Sequence, residues 1–232
     1  MSEIYFCGGY YLVEGSSIRN WMNPSLIPAT FHSLSNCICS HHPDISVLTW
    51  MNEADTGERY RQKLRLSTQE FQALQNQADR WFEKNKYTWG EVFLDLSLAR
   101  EFATNYLNHI KNIKLLAIAI TPRYRELFLQ EAPSNNCQEG VYRALLSHQT
   151  IDIKHNFLGY EILGYEYGWF HSFVCNQLET DFVNELDIEL NQYGLIDQYD
   201  LAIRASDYVN LPDTGAEPSL WLPWAVVELE IF

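Results

Sequence analysis

The stretch of sequence that most constrains the fold is residues 114–121, which read Lys-Leu-Leu-Ala-Ile-Ala-Ile-Thr. A strand presents alternate side chains to opposite faces of its sheet, and here both sets are largely apolar. Such a strand belongs where both faces of the sheet are covered. Pro122 ends the run because proline has no backbone N–H for the sheet ladder. We therefore predict a buried central strand, followed by a short helix over residues 124–130.

The pattern of apolar residues predicts further strands and helices elsewhere. Strand composition occurs in residues 4–13, 45–51, 60–66, 160–167 and 220–231. Helical periodicity, or helix-forming composition in the shorter segments, occurs in residues 67–85, 89–110, 141–146, 169–186 and 195–205. The first of these helices opens with a capping box, from Ser67 to Glu70. The short connection after it predicts that the first two helices form an antiparallel pair.

Together these elements predict an α+β protein with a mixed β-sheet and about four main α-helices. A regular alternation of strand and helix is missing from residues 1–66, which argues against a doubly wound sheet. No linker-like, low-complexity stretch divides the chain. We therefore expect residues 1–232 to form a single domain.

Composition and charge exclude several classes of protein. Hydrophobic residues make up 47% of the chain and charged residues 20%, as in globular proteins. With 16 basic against 30 acidic residues the formal net charge is −14, so we expect no nucleic-acid or anionic-membrane partner. The longest clean apolar run, residues 115–120, is far shorter than the roughly 20 residues that span a bilayer. The five cysteines, an odd number, and the absence of a signal-peptide pattern predict a reduced, cytoplasmic protein.

The negative charge is concentrated in the last third of the chain. Residues 157–232 contain fourteen acidic residues and a single base, Arg204. Five of the acids follow closely on one predicted helix and the loop after it: Glu179, Asp181, Glu185, Asp187 and Glu189. Such a field steers a basic protein partner, and these five residues are the predicted docking surface. The alternative is that the acids only solvate the surface.

The densest set of metal-ligand side chains is Cys37, Cys39, His41 and His42. Thiolates and imidazoles are the ligands that zinc prefers. The spacing, however, is not that of a zinc knuckle, and no second Cys/His pair with knuckle spacing exists in the chain. The set predicts either a metal site or two inward-facing thiols beside two exposed imidazoles.

A second candidate site is His171 with Cys175, followed by Glu179. On the predicted helix these residues are four apart and share one face. An imidazole beside a thiol favours the nucleophilic thiolate. The residue types therefore predict catalysis by His171 and Cys175, and the alternative is a buried cysteine beside a boundary histidine.

No motif connects the chain to a cofactor. The sequence lacks GxGxxG, a P-loop, HExxH and GxSxG, so we expect no bound cofactor. The leading hypothesis is an acidic interaction protein of inhibitor or immunity type that docks a basic protein through residues 157–232. The alternative is a small hydrolase or transferase with a Cys/His site, with or without a metal. A structural subunit of a larger assembly is a third hypothesis.

Overall fold

Nine strands and six α-helices lie in the part of the chain that the computed structural model describes, namely residues 3–35, 37–42, 58, 61–62, 65–85, 92–108, 110–132, 139–166 and 168–231. The strands are β1 (Tyr5–Glu14), β2 (Ser16–Ser17), β3 (Thr30–Phe31), β4 (Ser40–His42), β5 (Ile113–Ile120), β6 (Thr150–Ile151), β7 (Phe157–Glu166), β8 (Trp169–Ser172) and β9 (Leu220–Leu229). The helices are α1 (Thr68–Asn85), α2 (Leu96–Tyr106), α3 (Pro122–Glu131), α4 (Val141–Leu146), α5 (Glu179–Asn184) and α6 (Tyr199–Val209). A 3₁₀ helix, Phe173–Asn176, lies between β8 and α5.

The main sheet has the strand order β4-β1-β5-β9-β7-β8, and β6 also pairs with β1. Every pair of strands described in it is antiparallel, so the prediction of a mixed sheet is wrong. Parallel neighbours need a crossover connection, whereas β7 and β8 form a hairpin. The prediction of an α+β protein is confirmed. A second, small sheet pairs β2 with β3.

The apolar stretch at residues 114–121 forms β5 at the centre of the sheet, as predicted. Its residues from Leu115 to Ile120 are fully buried. Leu116 and Ile118 belong to a large apolar cluster that includes Trp224. Leu115 and Ala117 belong to a second cluster, which includes Phe102 of α2. The core therefore lies on both faces of the sheet, which is why both faces of this strand are apolar.

The long helix predicted over residues 169–186 is wrong. The chain there forms β8, then the 3₁₀ helix, then α5. Gln177 ends the 3₁₀ helix in the left-handed conformation, with φ of 59°, which a continuous helix does not allow. The predicted inward residues are nevertheless buried, because each short segment faces the core separately: Phe170, Phe173, Val174, Leu178 and Phe182.

Several predicted boundaries also change. The helix predicted over 89–110 begins only at Leu96, after the N-cap Asp95, because Phe93 pairs with Tyr10 of β1 instead. The helix predicted over 195–205 lies at Tyr199–Val209. Residues 61 and 62 are helical where a strand was predicted, and the strand predicted over 45–51 lies outside the described residues.

Helices α1 and α2 contact each other through aromatic side chains. The Trp81 indole N–H donates to Glu101 Oε1 at 2.6 Å, and the Trp81 and Phe102 rings lie 5.2 Å apart. Their connection lies outside the described residues, and the antiparallel pairing stays a prediction. Within the described ranges, no helix has both the length and the apolar composition that crossing a bilayer requires.

Candidate thiol site

The structure brings Cys37, His171 and Cys175 together, although the sequence assigns them to two separate candidate sites. Cys37 lies in a turn between β3 and β4, His171 in β8 and Cys175 in the 3₁₀ helix. The Ser35 hydroxyl, two residues before Cys37, lies 3.2 Å from Cys175 Sγ, and hydrogen bonding with Cys175 and His171 is the main influence that lowers the pKa of Cys37. We call these three residues the thiol site.

A buried carboxylate holds the loop that carries Cys37. Glu161, in β7, is 2% exposed. Its Oε1 accepts a hydrogen bond from the Ser33 hydroxyl at 2.5 Å, and its Oε2 accepts one from the Leu34 N–H at 3.1 Å. Burying a charged group is costly unless it is hydrogen-bonded, and these two bonds meet that requirement. The same bonds fix the chain just before Cys37 against the sheet.

The turn that follows separates the two cysteines of the Cys-Ile-Cys motif. The N–H groups of Ile38 and Cys39 both donate to the Ser35 carbonyl at 3.1 Å, which closes one helical turn. Cys39 is buried, and its Sγ accepts a hydrogen bond from the Ser33 N–H at 3.2 Å. Cys37 is exposed. The motif therefore has one inward thiol and one surface thiol.

The β7–β8 hairpin and the 3₁₀ helix position the other two members of the site. His171 pairs with Gly164 of β7. The next residue, Ser172, starts the 3₁₀ helix by accepting the Val174 N–H at its Oγ. The buried Ser35 hydroxyl lies 3.2 Å from Cys175 Sγ. This contact joins the Cys37 turn to the 3₁₀ helix.

Two carboxylates flank the His171 ring. Nδ1 lies 3.8 Å from Glu217 Oε1, and Nε2 lies 4.0 Å from Glu166 Oε2. The hydrogen bond with Cys37 raises the pKa of His171, and the negative charges of Glu217 and Glu166 act in the same direction, while burial opposes them. The surroundings of the ring therefore favour the imidazolium.

The two thiols of the site have opposite pKa shifts. Hydrogen bonds from Cys175 and His171 lower the pKa of Cys37 to about 4, against the effect of burial. The hydrogen bond to Cys37 raises the pKa of Cys175, and burial raises it further. The surroundings of Cys37 therefore favour its thiolate, and those of Cys175 favour its neutral thiol. The thiolate is the nucleophilic form of cysteine.

The predicted metal set, Cys37, Cys39, His41 and His42, is only partly described. Of the two histidines, the structure describes only the backbone, in β4; their side chains lie outside the described residues. Among the side chains that are described, no group of three or more His, Cys, Asp or Glu residues is placed to hold a metal ion. Cys39 already has hydrogen-bond partners within the protein. Metal binding by this set stays a prediction.

The predicted acidic surface divides into buried and exposed members. Glu179 is 1% exposed, and its Oε1 accepts the Asn23 N–H at 3.1 Å. Asp181 is half-buried and accepts a hydrogen bond from the Tyr208 hydroxyl at 3.3 Å. Three acids are exposed: Glu185, Asp187 and Glu189. The surface open to a partner is therefore made of these three residues, with Asp181 at its margin.

Sequence reasoning missed four residues around the thiol site: Ser35, Glu161, Glu166 and Glu217. The only signal for Glu161 was an acid inside an otherwise apolar strand. Such an acid must find hydrogen-bond donors when it is buried, but the sequence does not say which ones. Ser35, Glu166 and Glu217 lie in segments with no pattern that points to them.

Comparison with known proteins adds no function. No protein-family model matches the chain, and neither does any curated protein or solved structure.

Proposed function

We propose that the protein is a thiol-dependent hydrolase or transferase with Cys37 as its nucleophile. The observation that carries this proposal is that Cys37 is exposed and that hydrogen bonding with an imidazole and a second thiol lowers its pKa. An activated cysteine paired with a histidine is the usual arrangement for covalent catalysis by sulfur. The sequence alone favours Cys175 as the nucleophile, whereas its raised pKa supports a role for it as a hydrogen-bond donor to Cys37.

The proposed reaction is acyl transfer from an ester or thioester. The Cys37 thiolate attacks the carbonyl carbon, and the leaving alcohol or thiol takes a proton from the His171 imidazolium as the bond to it breaks. The product is an acyl thioester on Cys37 and a neutral His171. His171 then removes a proton from water or from an acceptor alcohol, whose oxygen attacks the thioester. Cys37 leaves as a thiolate, which restores the starting ion pair.

The carboxylates beside His171 support its part in this cycle. Glu217 and Glu166 lie about 4 Å from the two ring nitrogens. At that distance they stabilise the imidazolium without neutralising it fully, because each is partly exposed and screened. The carboxylates therefore favour the charged form of the group that donates the proton.

The test is the pH dependence of alkylation at Cys37 by iodoacetamide, with the modified residue assigned by peptide mass spectrometry. We expect a rate constant at Cys37 that is flat between about pH 5 and 8, because the thiolate is already fully formed. An ordinary thiol rises about tenfold per pH unit over this range. The rate itself is a weaker readout, because a low-pKa thiolate is also intrinsically less nucleophilic. A rising profile at Cys37 would overturn the proposal.

Turnover is tested separately with 4-nitrophenyl acetate as the acyl donor. We expect a burst of nitrophenol equal to the protein concentration, and an acetyl group on Cys37 in the quenched protein. A Cys37→Ser variant should lose both signals. A Cys39→Ser variant, which removes the inward thiol of the same motif, is the matched control and should keep them. Acetylation elsewhere, with none on Cys37, would contradict the assignment.

The exposed acids support a second proposal, the docking of a basic protein. Glu185, Asp187 and Glu189 lie within five residues and face solvent, in a region where Arg204 is the only base. Charges at a rim act mainly on the association rate. An Asp187→Asn, Glu189→Gln variant should therefore associate several-fold more slowly with cytochrome c, used as a basic probe, at low salt.

The matched control for this second proposal removes the same charge at another place. Glu83 and Glu126 are exposed acids on α1 and α3. A Glu83→Gln, Glu126→Gln variant should keep the association rate of the unmodified protein. Equal slowing in both variants would mean that net charge alone attracts the probe, and would remove the docking surface.

A further inference from the structure

A cleft of about 930 Å³ lies between α1 and the ends of β1 and β5. Its walls are formed by α1, by Glu14 at the end of β1, by residues 65–66 just before α1 and by residues 110–112 just before β5. The volume falls within the range of small-molecule sites, about 300–1,000 Å³. None of these residues belongs to the thiol site, so the proposed acyl transfer does not use the cleft.

Helix α1 turns one face to the core and another to the cleft. Phe71 and Trp81 are buried in the second apolar cluster. A separate row of α1 residues lines the cleft at the spacing of a single helix face: Glu70, Ala73, Leu74 and Gln77. The helix therefore lines the cleft without giving up its contacts with the core.

The floor of the cleft is apolar and continuous with the core. Ile110 is 7% exposed and belongs to the second apolar cluster. The half-buried side chains of Leu66 and Leu74 pack against the same cluster. An apolar molecule in the cleft would remove the remaining surface of these side chains from water, which is favourable. The floor thus favours a ligand with an apolar body.

The charges on the walls favour an anion. Arg65 and Lys111 are exposed, and neither side chain has an ion pair or hydrogen bond to any residue that the structure describes. The two acids of the cleft are already engaged. Glu70 Oε2 accepts the Ser67 N–H at 2.8 Å and the Ser67 hydroxyl at 2.6 Å, and Glu14 has a partner of its own. The charge left without a partner is therefore positive, although the net charge of the protein is −14.

We propose that this cleft binds a monocarboxylate with an apolar chain, such as a medium-chain fatty acid. The chain covers the apolar floor, and the carboxylate pairs with Arg65 and Lys111 through charge-assisted hydrogen bonds. A single negative charge suits the site better than a phosphate dianion, because Glu14 and Glu70 on the same walls repel each added negative charge. The inference is independent of the proposed function, since the cleft and the thiol site share no residue.

The experiment titrates the isotope-labelled full chain with sodium octanoate and follows its amide signals by nuclear magnetic resonance. We expect shifts concentrated at the cleft, at Leu74, Ile110 and Lys111 among others. The affinity should rise from hexanoate to octanoate to decanoate, because each buried CH₂ raises it about fourfold. Shifts spread over the whole surface, or an affinity that does not depend on chain length, would overturn the site.

Two further ligands test the preference for a carboxylate. 1-Octanol has the same chain without the charge, and it should bind about tenfold more weakly, since each exposed ion pair contributes only a few-fold. Octyl phosphate should bind no more tightly than octanoate. Equal binding of octanol and octanoate, or tighter binding of octyl phosphate, would contradict the assignment of a monocarboxylate.

Removing the two cations should abolish this preference. An Arg65→Gln, Lys111→Gln variant should bind octanoate as weakly as octanol, with its affinity for octanol unchanged. Lys84 and Lys154 are exposed cations outside the cleft, so a Lys84→Gln, Lys154→Gln variant is the matched control and should keep the affinity for octanoate. Equal weakening in both variants would mean that the anion is attracted only by general charge.

Filling the cleft is the test of its location. Ala73 and Gln72 are neighbouring exposed positions of α1, and of the two only Ala73 lines the cleft. An Ala73→Trp variant should lose the binding of octanoate and of octanol, whereas a Gln72→Trp variant should keep both. Amide signals far from α1 show whether each variant is folded. Octanoate bound with unchanged affinity by a folded Ala73→Trp variant would overturn the proposal.

Discussion

The Glu161 carboxylate accepts a hydrogen bond from the Ser33 hydroxyl at 2.5 Å, across 128 residues of sequence. Glu161 belongs to β7, the strand next to the edge strand β8, whereas Ser33 begins the loop that leads to Cys37. Because Glu161 also accepts the Leu34 N–H, the loop is fixed by both oxygens of one carboxylate. The position of the Cys37 turn thus depends on a charge buried beneath it.

Replacing Glu161 with glutamine should destabilise the protein and disturb the thiol site. The amide has only one acceptor oxygen and brings two donors, so one of the two bonds to the loop is lost. Hydrogen bonds to charged groups contribute about 1.5–3 kcal/mol, and we expect the free energy of unfolding in urea to fall by about 2 kcal/mol. The exposed acid Glu126 provides the control, since Glu126→Gln should change it by less than about 0.5 kcal/mol. Equal free energies of unfolding in the two variants would show that the hydrogen bonds of Glu161 to the loop do not stabilise the protein.

Replacing His171 with asparagine should raise the pKa of Cys37. The imidazolium is one of the two main groups that hold this pKa near 4. Its loss should move the midpoint of the alkylation profile at Cys37 upward, toward the ordinary thiol value of 9.0. His155 is exposed, so a His155→Asn variant should keep the original midpoint. An unchanged midpoint in the His171 variant would mean that Cys175 alone stabilises the thiolate.

Acidification should remove part of the stability that Cys37 and His171 provide. Cys37 has a lowered pKa, so its contribution is complete above the unfolded pKa of 9.0 and is lost as the pH falls through about 4. His171 has a raised pKa, so its contribution is complete below 6.5 and declines as the pH rises above that value. The combined contribution of the two groups to the free energy of unfolding rises from about pH 4 to 6.5 and is level just above pH 6.5.

The measurement for this pH dependence is the difference in unfolding free energy between the unmodified protein and a Cys37→Ser variant, taken from urea titrations at several pH values. The difference should grow in favour of the unmodified protein between pH 4 and 6.5. A difference that stays constant over this range would show that Cys37 ionises as it does in the unfolded chain.

Replacing Gly159 with alanine should be far more damaging than the same change at Gly215. Gly159 has φ of +139° at a bulge in β7, and an added Cβ would lie 2.6 Å from Leu195 Cβ. Gly215 has φ of +79°, with no atom within 4 Å of such a Cβ. We expect a loss of about 3 kcal/mol or more at Gly159 and about 1 kcal/mol at Gly215. Thermal unfolding of both variants measures this order, and the reverse order would contradict the packing of Leu195 on the bulge.

The parts of the fold that the sequence predicted well are those set by local pattern. The apolar run at residues 114–121 predicts a central strand because its own side chains decide that both faces must be buried. The prediction of one long helix over residues 169–186 is wrong for a related reason. Its apolar residues fall at helical spacing, yet they are also compatible with a hairpin strand and two short helices that each turn one side to the core.

The thiol site could be predicted only in pieces. Cys37, His171 and Cys175 were all singled out by residue type, but as members of two sites. Two contacts bring them together: the pairing of β8 with β7, and the hydrogen bond between Glu161 and the loop that leads to Cys37. Both are long-range relationships, and no spacing along the chain encodes them. The sequence also does not say which sulfur lies at the surface, and the proposed change of nucleophile from Cys175 to Cys37 depends on that.

Within the Cys-Ile-Cys turn, only the first cysteine is accessible to labelling chemistry. Cys37 is exposed and its surroundings lower its pKa to about 4, while Cys39, two residues away, is buried and hydrogen-bonded. A maleimide fluorophore or a nitroxide applied in mildly acidic buffer will therefore react at Cys37 and leave Cys39 untouched. A spectroscopic label on Cys37 then reports on the surroundings of this turn, including the approach of a partner or substrate.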